Sequence, residues 1–261
     1  MLANISTRLT AGAGGDVGIG GFIVTGTQPK KIIVRAIGPS LPFPRKLENP
    51  TLGLYARDGG LIASNDDWRS SQEAEIIATG LAPTNDLESA IVATLPASPA
   101  GIGYTAIMSG VNGTTGLGLV EVYDLNSTND SKLANISTRG PVLKGIGVMI
   151  GGVIVAGADP QKVIVRALGP SLGMAGVMGA LRDPTLELHD SDGNLIASND
   201  NWRDTQEAEI LATGLQPPDD MESALVATLP SSPSGIPYTA IVQGVNETSG
   251  VALVEFYALA P

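Results

Sequence analysis

The stretch "LIASNDDWRSSQEAEIIATG" (61–80) returns almost unchanged as "LIASNDNWRDTQEAEILATG" (195–214), and this repetition decides how the chain is organised. Between 61–96 and 195–230, 27 of 36 positions are identical, so one structural unit occurs twice. "LANISTR" at 2–8 and 133–139 extends the repeat toward its start. We therefore predict one domain over 1–125 and another over 133–261, joined by the short polar linker 126–132.

Within one copy, the apolar runs are short and β-branched, and Gly, Pro, Asn and Asp stand between them. In the first copy they predict strands near 2–8, 19–26, 30–37, 51–56, 60–65, 87–95, 103–111 and 117–125. Eight short strands per copy are typical of a sandwich or jelly roll. The predicted fold is all-β: two tandem antiparallel β-sandwich domains, jelly-roll-like, each with one short helix.

The repeated acidic stretch holds that helix. Ser70 with Glu73, and Asp204 with Glu207, have the spacing of a capping box, which predicts a helix start. Each segment then ends on a glycine, at 80 and at 214, which suits a helix end. Acidic residues in a first turn favour the helix dipole. We therefore interpret this cluster as structural. Arg35 and Arg166 interrupt buried-looking strands and need partners, and the acids at 65–75 and 199–209 are the expected ones.

The overall charge limits the partners. The formal net charge is −11 and the pI is near 4.4, the opposite of what nucleic acid or an anionic membrane would attract. Divalent cations remain compatible. The chain has no cysteine, which excludes disulfides, thiolate metal sites and a cysteine nucleophile. No apolar run approaches the ~20 residues of a membrane span.

Catalytic candidates are few. His189 is the only histidine, and its counterpart in the first copy is Tyr55, which favours packing over catalysis. "GPSLG" (169–173) matches the nucleophile-elbow pattern around Ser171, but Pro42 breaks that pattern in the first copy. We therefore predict that the protein is not an enzyme.

Two ligand sites are hypotheses at this stage. Trp68 and Trp202 follow the "SND" stretch, where each either covers the edge of the core or offers a platform for stacking sugars. Oxygen ligands gather around a Gly turn in the second copy and predict a Ca²⁺ site there, the alternative being a hairpin with solvated acids. The predicted ligands are Asp190, Asp192, Asn194, Asn199 and Asp200.

Two motifs resemble known families. "PTLELHDSDGNLIASNDNW" (184–202), followed by "YTAIVQGVN" (238–246), is similar to the bacterial pre-peptidase C-terminal type of β-sandwich. "LANISTR" together with "IGPSL" or "LGPSL" resembles a tandem repeat of large predicted secreted proteins of environmental bacteria. That second resemblance implies export and a non-catalytic surface or accessory role.

We therefore expect a structural or surface protein outside the bacterial cell. Because an unpaired edge strand is a template for another chain, residues 2–8 are expected to mediate self-association, and a head-to-tail contact of that kind gives a filament. The alternative function is a glycan- or protein-binding accessory module of a larger secreted protein or enzyme.

Overall fold

The computed structural model describes residues 2–12, 17–126 and 128–259, apart from the side chains of residues 3 and 5. The chain divides into two compact units. The first unit comprises Ala3–Ile136, and the second comprises the chain from Ser137 onward together with Leu2. The predicted linker, 126–132, and the first residues of the second "LANISTR" therefore belong to the first unit, as far as the structure describes them.

The first unit is a sandwich of two antiparallel sheets. One sheet has the strand order β5-β4-β7-β2 and the other β6-β3-β8-β1, which is the strand order of a jelly roll. Its strands are β1 (Leu2–Ala11), β2 (Gly18–Thr25), β3 (Lys30–Ile37), β4 (Pro50–Ala56), β5 (Leu61–Asn65), β6 (Ser89–Leu95), β7 (Ile102–Gly110) and β8 (Gly116–Asp124). The helix α1 (Glu73–Ala78) lies between β5 and β6.

The second unit repeats this order as β13-β12-β15-β10 and β14-β11-β16-β9. Its strands are β9 (Lys132–Val142), β10 (Met149–Val155), β11 (Gln161–Leu168), β12 (Pro184–His189), β13 (Leu195–Asn199), β14 (Ser223–Leu229), β15 (Ile236–Gly244) and β16 (Gly250–Ala258). Two helices interrupt the strands: α2 (Pro170–Met174), which was not predicted, and α3 (Glu207–Ala212), which corresponds to α1.

The all-β prediction is confirmed, with 51% of the residues in strands. The reason is the alternation of side chains: in β2 and β10, every second residue is buried, as in a strand with one face on the core. β3 and β11 are the central strands of their sheets and bury nearly continuous apolar runs. Among the described residues, no helix has the length and apolar character needed to cross a membrane.

The predicted helices exist, but the predicted capping boxes are wrong. The residues at the helix starts are Gln72 and Gln206, and neither makes a side-chain capping bond. The Ser70 hydroxyl donates to the Asp67 carbonyl instead, before the helix begins. Gly80 does lie at the helix end with a positive φ of 71°, as predicted.

The segment 128–131 is fastened to the turn between β2 and β3. Asp130 accepts hydrogen bonds from the Thr27 amide and hydroxyl, and the Ser131 hydroxyl bonds to both backbone groups of Gln28. The Lys30 ammonium, fully buried, donates to Asp124 Oδ2 at 2.7 Å. It also donates to the carbonyl of residue 126 and to the side-chain oxygen of residue 129. This part of the predicted linker is therefore an ordered piece of the first unit.

Candidate functional site

A buried glutamate organises the "GPSL" turn in each unit. In the first unit, Glu88 is 0% exposed, and its Oε1 accepts hydrogen bonds from the Gly38 amide at 3.1 Å and the Ser40 amide at 3.0 Å. The Ser40 hydroxyl donates to the same oxygen at 2.5 Å, and the Asn85 amide donates to Oε2 at 3.3 Å. Hydrogen bonds to an ionised acceptor are the strong ones, and here four donors replace the water that burial removes. The carboxylate therefore ties the end of β3 to the start of β6.

The second unit has the same arrangement around Glu222, which is also 0% exposed. Its Oε1 accepts from the Gly169 and Ser171 amides, both at 2.9 Å, and from the Ser171 hydroxyl at 2.5 Å. The hydroxyl of Ser171, the residue of the nucleophile-elbow pattern, thus donates a hydrogen bond to a carboxylate that stabilises the fold. Neither glutamate was predicted as a functional residue. Their signal was a single acid directly before a mostly apolar strand, in "ESAIVATL" (88–95) and "ESALVATL" (222–229).

The two tryptophans are core residues. Trp68 is 2% exposed and packs with Ile33, Ile76, Ala90 and Val92. Its indole N–H donates to the carbonyl of residue 85, and the guanidinium of residue 69 lies 4.1 Å from the ring centroid. Trp202, 1% exposed, has the equivalent surroundings. The hypothesis of a stacking platform at these rings fails physically, because no ring face is left for a sugar.

The repeated polar stretch covers the free edge of β6. The Gln72 side chain donates to the Val92 carbonyl at 2.9 Å and accepts from the Val92 amide at 3.1 Å, as a neighbouring strand would. Asn65 Oδ1 accepts from the Ala90 amide at 3.0 Å. Edge strands with open backbone groups pair with other chains, so this cover protects the sheet.

The second unit forms the same cover. Gln206 bonds to both backbone groups of Val226, and Asn199 Oδ1 accepts from the Ala224 amide at 2.9 Å. Gln206 and its counterpart each have φ 57°, in the left-handed region that an L side chain adopts at a cost of about 1–3 kcal/mol. In both units, this left-handed backbone directs the glutamine side-chain amide toward the strand edge. The repeated stretch therefore has the same structural role twice.

The arginines within β3 and β11 are paired, but not with the acids expected at 65–75 and 199–209. Arg35 Nε donates to Glu121 Oε2 at 2.9 Å, and Arg35 also contacts that oxygen through a terminal nitrogen. The Tyr123 hydroxyl donates to Glu121 Oε1 at 2.9 Å, and burial followed by the Glu121 charge raises the Tyr123 pKa to about 12. Arg166, Glu255 and Tyr257 repeat this group. The partner lies directly opposite on the neighbouring strand, at Arg35↔Glu121.

The predicted calcium ligands divide into two places. Asp190 Oδ1 accepts from the amides of Asp192 and Asn194, and Oδ2 accepts from the Asn194 side chain at 3.0 Å. These bonds close the β12–β13 turn and lower the Asp190 pKa, the Asn194 side chain contributing most. Asn199 pairs with Leu186 at the other end of that hairpin.

Asn199 and Asp200 are therefore not brought to the turn. Five residues of strand at about 3.3 Å each separate Asn199 from Asn194, roughly 16 Å, which is too far for one ion. Asn199 is also buried, with its oxygen and nitrogen used inside the loop and the edge cover. Among the described residues, no group of three or more His, Asp or Glu side chains is placed to hold a metal ion. Calcium binding at the turn stays a prediction.

The only histidine takes part in the same hairpin. His189 Nδ1 lies 3.1 Å from the Gly193 carbonyl oxygen, and Nε2 lies 2.9 Å from Glu187 Oε2. Both ring nitrogens are bonded within the hairpin, and the Ser171 hydroxyl donates to Glu222. His189 and Ser171 therefore do not form a catalytic triad.

No family model matches the chain, and no curated protein matches it. Among solved structures, the plant receptor-like kinase FER is similar at 8% identity over 97% of this chain and 88% of that chain, with a TM-score of 0.21. An Arthrobacter globiformis T6 isomalto-dextranase complexed with panose is similar at 9% identity over 95% and 36%, TM-score 0.22. A DUF4785 family protein from Legionella pneumophila is similar at 10% identity over 95% and 80%, TM-score 0.23. These similarities carry no argument about function, and the two family resemblances stay predictions.

Proposed function

We propose that the protein is a non-catalytic structural component of the bacterial exterior. The observation that carries this proposal is the latch, the buried carboxylate of Glu88 or Glu222 with its four hydrogen-bond donors. It uses Ser171, the candidate nucleophile, and its counterpart Ser40 as parts of the fold. The buried tryptophans and the edge cover support it, since the most distinctive side chains of the repeat serve the fold in both units.

A direct test is to assay the purified chain against chromogenic esters and glycosides. The proposal expects no turnover above that of buffer, and the same result for Ser171→Ala and His189→Ala. Hydrolysis by the wild-type chain that disappears in Ser171→Ala would establish an enzyme and end the structural proposal.

For assembly, we propose that the first strand is the element exchanged between copies. β1 pairs with β8 from Asn4↔Tyr123 to Ala11↔Gly116, so residues 4–8 are already in a sheet. The sequence of 2–8 is identical to that of 133–139 in β9, which pairs with β16. Exchanging identical elements is a low-cost route to oligomers, so β1 of one copy can replace β9 of another and continue head to tail into a filament.

A disulfide lock tests the exchange, because the chain has no cysteine of its own. Arg8 lies opposite Leu119 in the β1–β8 pairing, and Leu119 also pairs with Ile37 of β3. Directly opposite residues of antiparallel strands have Cα atoms about 4.5–5.5 Å apart, within the range of about 4.4–6.8 Å that a disulfide spans, so Arg8→Cys with Leu119→Cys can form the cross-link. Electron microscopy should show filaments of the wild-type chain, and filaments of the locked chain only after reduction.

Two results would contradict this form of assembly. A wild-type chain that stays monomeric at high concentration in light scattering has no filament. Filaments that form equally in the oxidised, locked chain must use another surface. Neither result affects the latch that supports the structural role.

Calcium at the β12–β13 turn is proposed with a reduced ligand set: Asp190, Asp192 and Asn194. An ion bound only by the folded state raises the melting temperature by linkage. Excess Ca²⁺ should therefore stabilise the chain, and Asp192→Ala should remove the gain whereas Asp58→Ala, its counterpart in the first unit, should leave it. Identical melting curves with Ca²⁺ and with chelator would end this proposal.

A further inference from the structure

The first unit has a cavity of about 480 Å³ on the outer face of the sheet β5-β4-β7. The side chains that alternate outward from β4 and β7 form its floor, and Asp66, Ser70 and Ser71 form one wall. Its volume lies in the range of sites for small molecules, about 300–1,000 Å³. Five small hydroxyl residues line it: Thr51, Ser64, Ser70, Ser71 and Ser109.

Tyr55 is the aromatic residue of this lining, and Gly53 makes room for it. A Cβ atom at position 53 would lie 2.7 Å from Tyr55 Cε2 and 2.9 Å from its hydroxyl, so any other residue there displaces the ring. The phenol ring thus lies across the bare backbone of β4. In that position, it gives the cavity an apolar surface beside the hydroxyl groups.

The second unit has different residues at the corresponding positions. Glu187 stands where the first unit has Gly53, and His189 stands where it has Tyr55. His189 Nε2 lies 2.9 Å from Glu187 Oε2, so these two side chains occupy the surface with a polar pair of their own. Gln243 replaces Ser109 and is the larger side chain. The two copies also differ elsewhere in this sheet, as at Met108, which corresponds to Val242, but the changes at 53, 55 and 109 all fall in the cavity lining.

Asp66 supplies the charge of the cavity. Its carboxylate is exposed, and it has no hydrogen bond or ion pair within the described part of the chain. Partial loss of hydration beside the cavity wall, followed by the neighbouring charge of Asp67, raises the pKa of Asp66. No Lys or Arg lines the cavity, which excludes phosphate and other anions as ligands. The carboxylate accepts hydrogen bonds, and the hydroxyl groups around it both donate and accept them, which suits a ligand that is itself rich in hydroxyls.

We propose that this cavity binds a neutral sugar of one or two rings. The hydroxyls of Thr51 and Ser109, 2.8 Å apart, with Ser64 and the Asp66 carboxylate, bond to sugar hydroxyls, and the Tyr55 ring contacts the apolar face of a sugar ring. The site belongs to the first unit alone. This proposal goes beyond the structural role and does not depend on it.

The test is to titrate the full chain with glucose, galactose, mannose, N-acetylglucosamine and maltose at millimolar concentrations. Binding is measured from the NMR chemical shifts of the backbone amides. At least one of these sugars should shift the amides of Gly53 and Ser109 in a saturable manner. The double variant Gly53→Glu/Tyr55→His carries the pair that the second unit accommodates, so it should fold, and its affinity should fall at least about tenfold.

A second variant and a control complete the design. Ser109→Gln, which again copies the second unit, fills the cavity and should weaken binding in the same way if the double variant fails to fold. His189→Ala in the second unit should leave the affinity unchanged. The proposal is overturned if none of the five sugars shifts these amides, or if binding survives both cavity variants or is lost in His189→Ala.

Discussion

Replacing Glu222 by Gln should destabilise the second unit markedly, although the two side chains have the same shape. Gln keeps an oxygen for the three donors at Oε1 but loses the charge that strengthens those bonds, at about 0.5–1 kcal/mol each. It also turns an amide nitrogen toward the Asp219 amide, which donates to Oε2 at 3.3 Å. A buried donor without an acceptor costs about 1–3 kcal/mol. Together these losses give an expected fall in unfolding free energy of about 2.5–6 kcal/mol.

Differential scanning calorimetry measures this loss. For a unit of this size, about 1 kcal/mol shifts the melting temperature by roughly 3–5 °C, so the transition of the second unit should fall by at least about 8 °C. Ser171→Ala removes one of the four donors and should cost only about 1 kcal/mol. Glu48→Gln, on the exposed surface, is the control and should stay within about 0.5 kcal/mol. A Glu222→Gln variant that melts like this control would refute the latch.

Three further predictions follow from the packing. Lys30→Met leaves the buried Asp124 carboxylate without its partner and should lower the free energy of chemical unfolding by about 3–5 kcal/mol. The double variant Lys30→Gln with Asp124→Ala has the pair found in the second unit and should recover most of this loss. Equal losses in both variants would contradict the ion pair. Gln72→Ala uncovers the edge of β6 and should increase aggregation in light scattering, while a variant as soluble as wild type would contradict the role of the cover. The pKa of Tyr123 and of Tyr257 is raised to about 12, against about 10 in the unfolded chain, so the folded state retains protons that the unfolded state loses. Stability should therefore be unaffected by these tyrosines below pH 10 and fall between pH 10 and about pH 12, as circular dichroism at stepped pH would show, and replacing both by Phe should weaken that fall.

Strand positions could be predicted from the sequence because burial in a two-sheet sandwich imposes an alternation that the residues carry locally. β3 was predicted at 30–37 and lies at Lys30–Ile37, and the other strands of the first unit differ by at most three residues at either end. The helix end at Gly80 could also be predicted from the local sequence, because it requires only one residue that adopts a left-handed backbone.

Contacts between distant segments could not be predicted in the same way. The spacing of Ser70 and Glu73 fits a capping box, but the helix begins at Glu73 because Gln72 turns to pair with Val92, 20 residues away. Arg35 was expected to pair with the acids of the repeated stretch. Its partner, Glu121, is fixed by the register of β3 and β8, which no local pattern reveals.

The geometry of the candidate sites could not be predicted for a related reason. Asp190 and Asn199 are close in sequence, and a turn between them suggested that they converge. The hairpin register places them at opposite ends, because Asn199 pairs with Leu186. Trp68 is buried by Ile76 of the helix and by residue 69, which covers its ring. Charged residues next to a tryptophan in the sequence do not indicate whether the indole ring is buried or exposed.

Amide hydrogen exchange of β6 tests the central claim, that the repeated polar stretch serves the fold, most directly. The Ala90 and Val92 amides face the free edge and donate to Asn65 and Gln72, so both should be protected in the wild-type chain. In Gln72→Ala, the Val92 amide should exchange faster while the Ala90 amide keeps its protection. If the Val92 amide already exchanges as fast in the wild-type chain as in the variant, the stretch does not cover the edge and the account is contradicted.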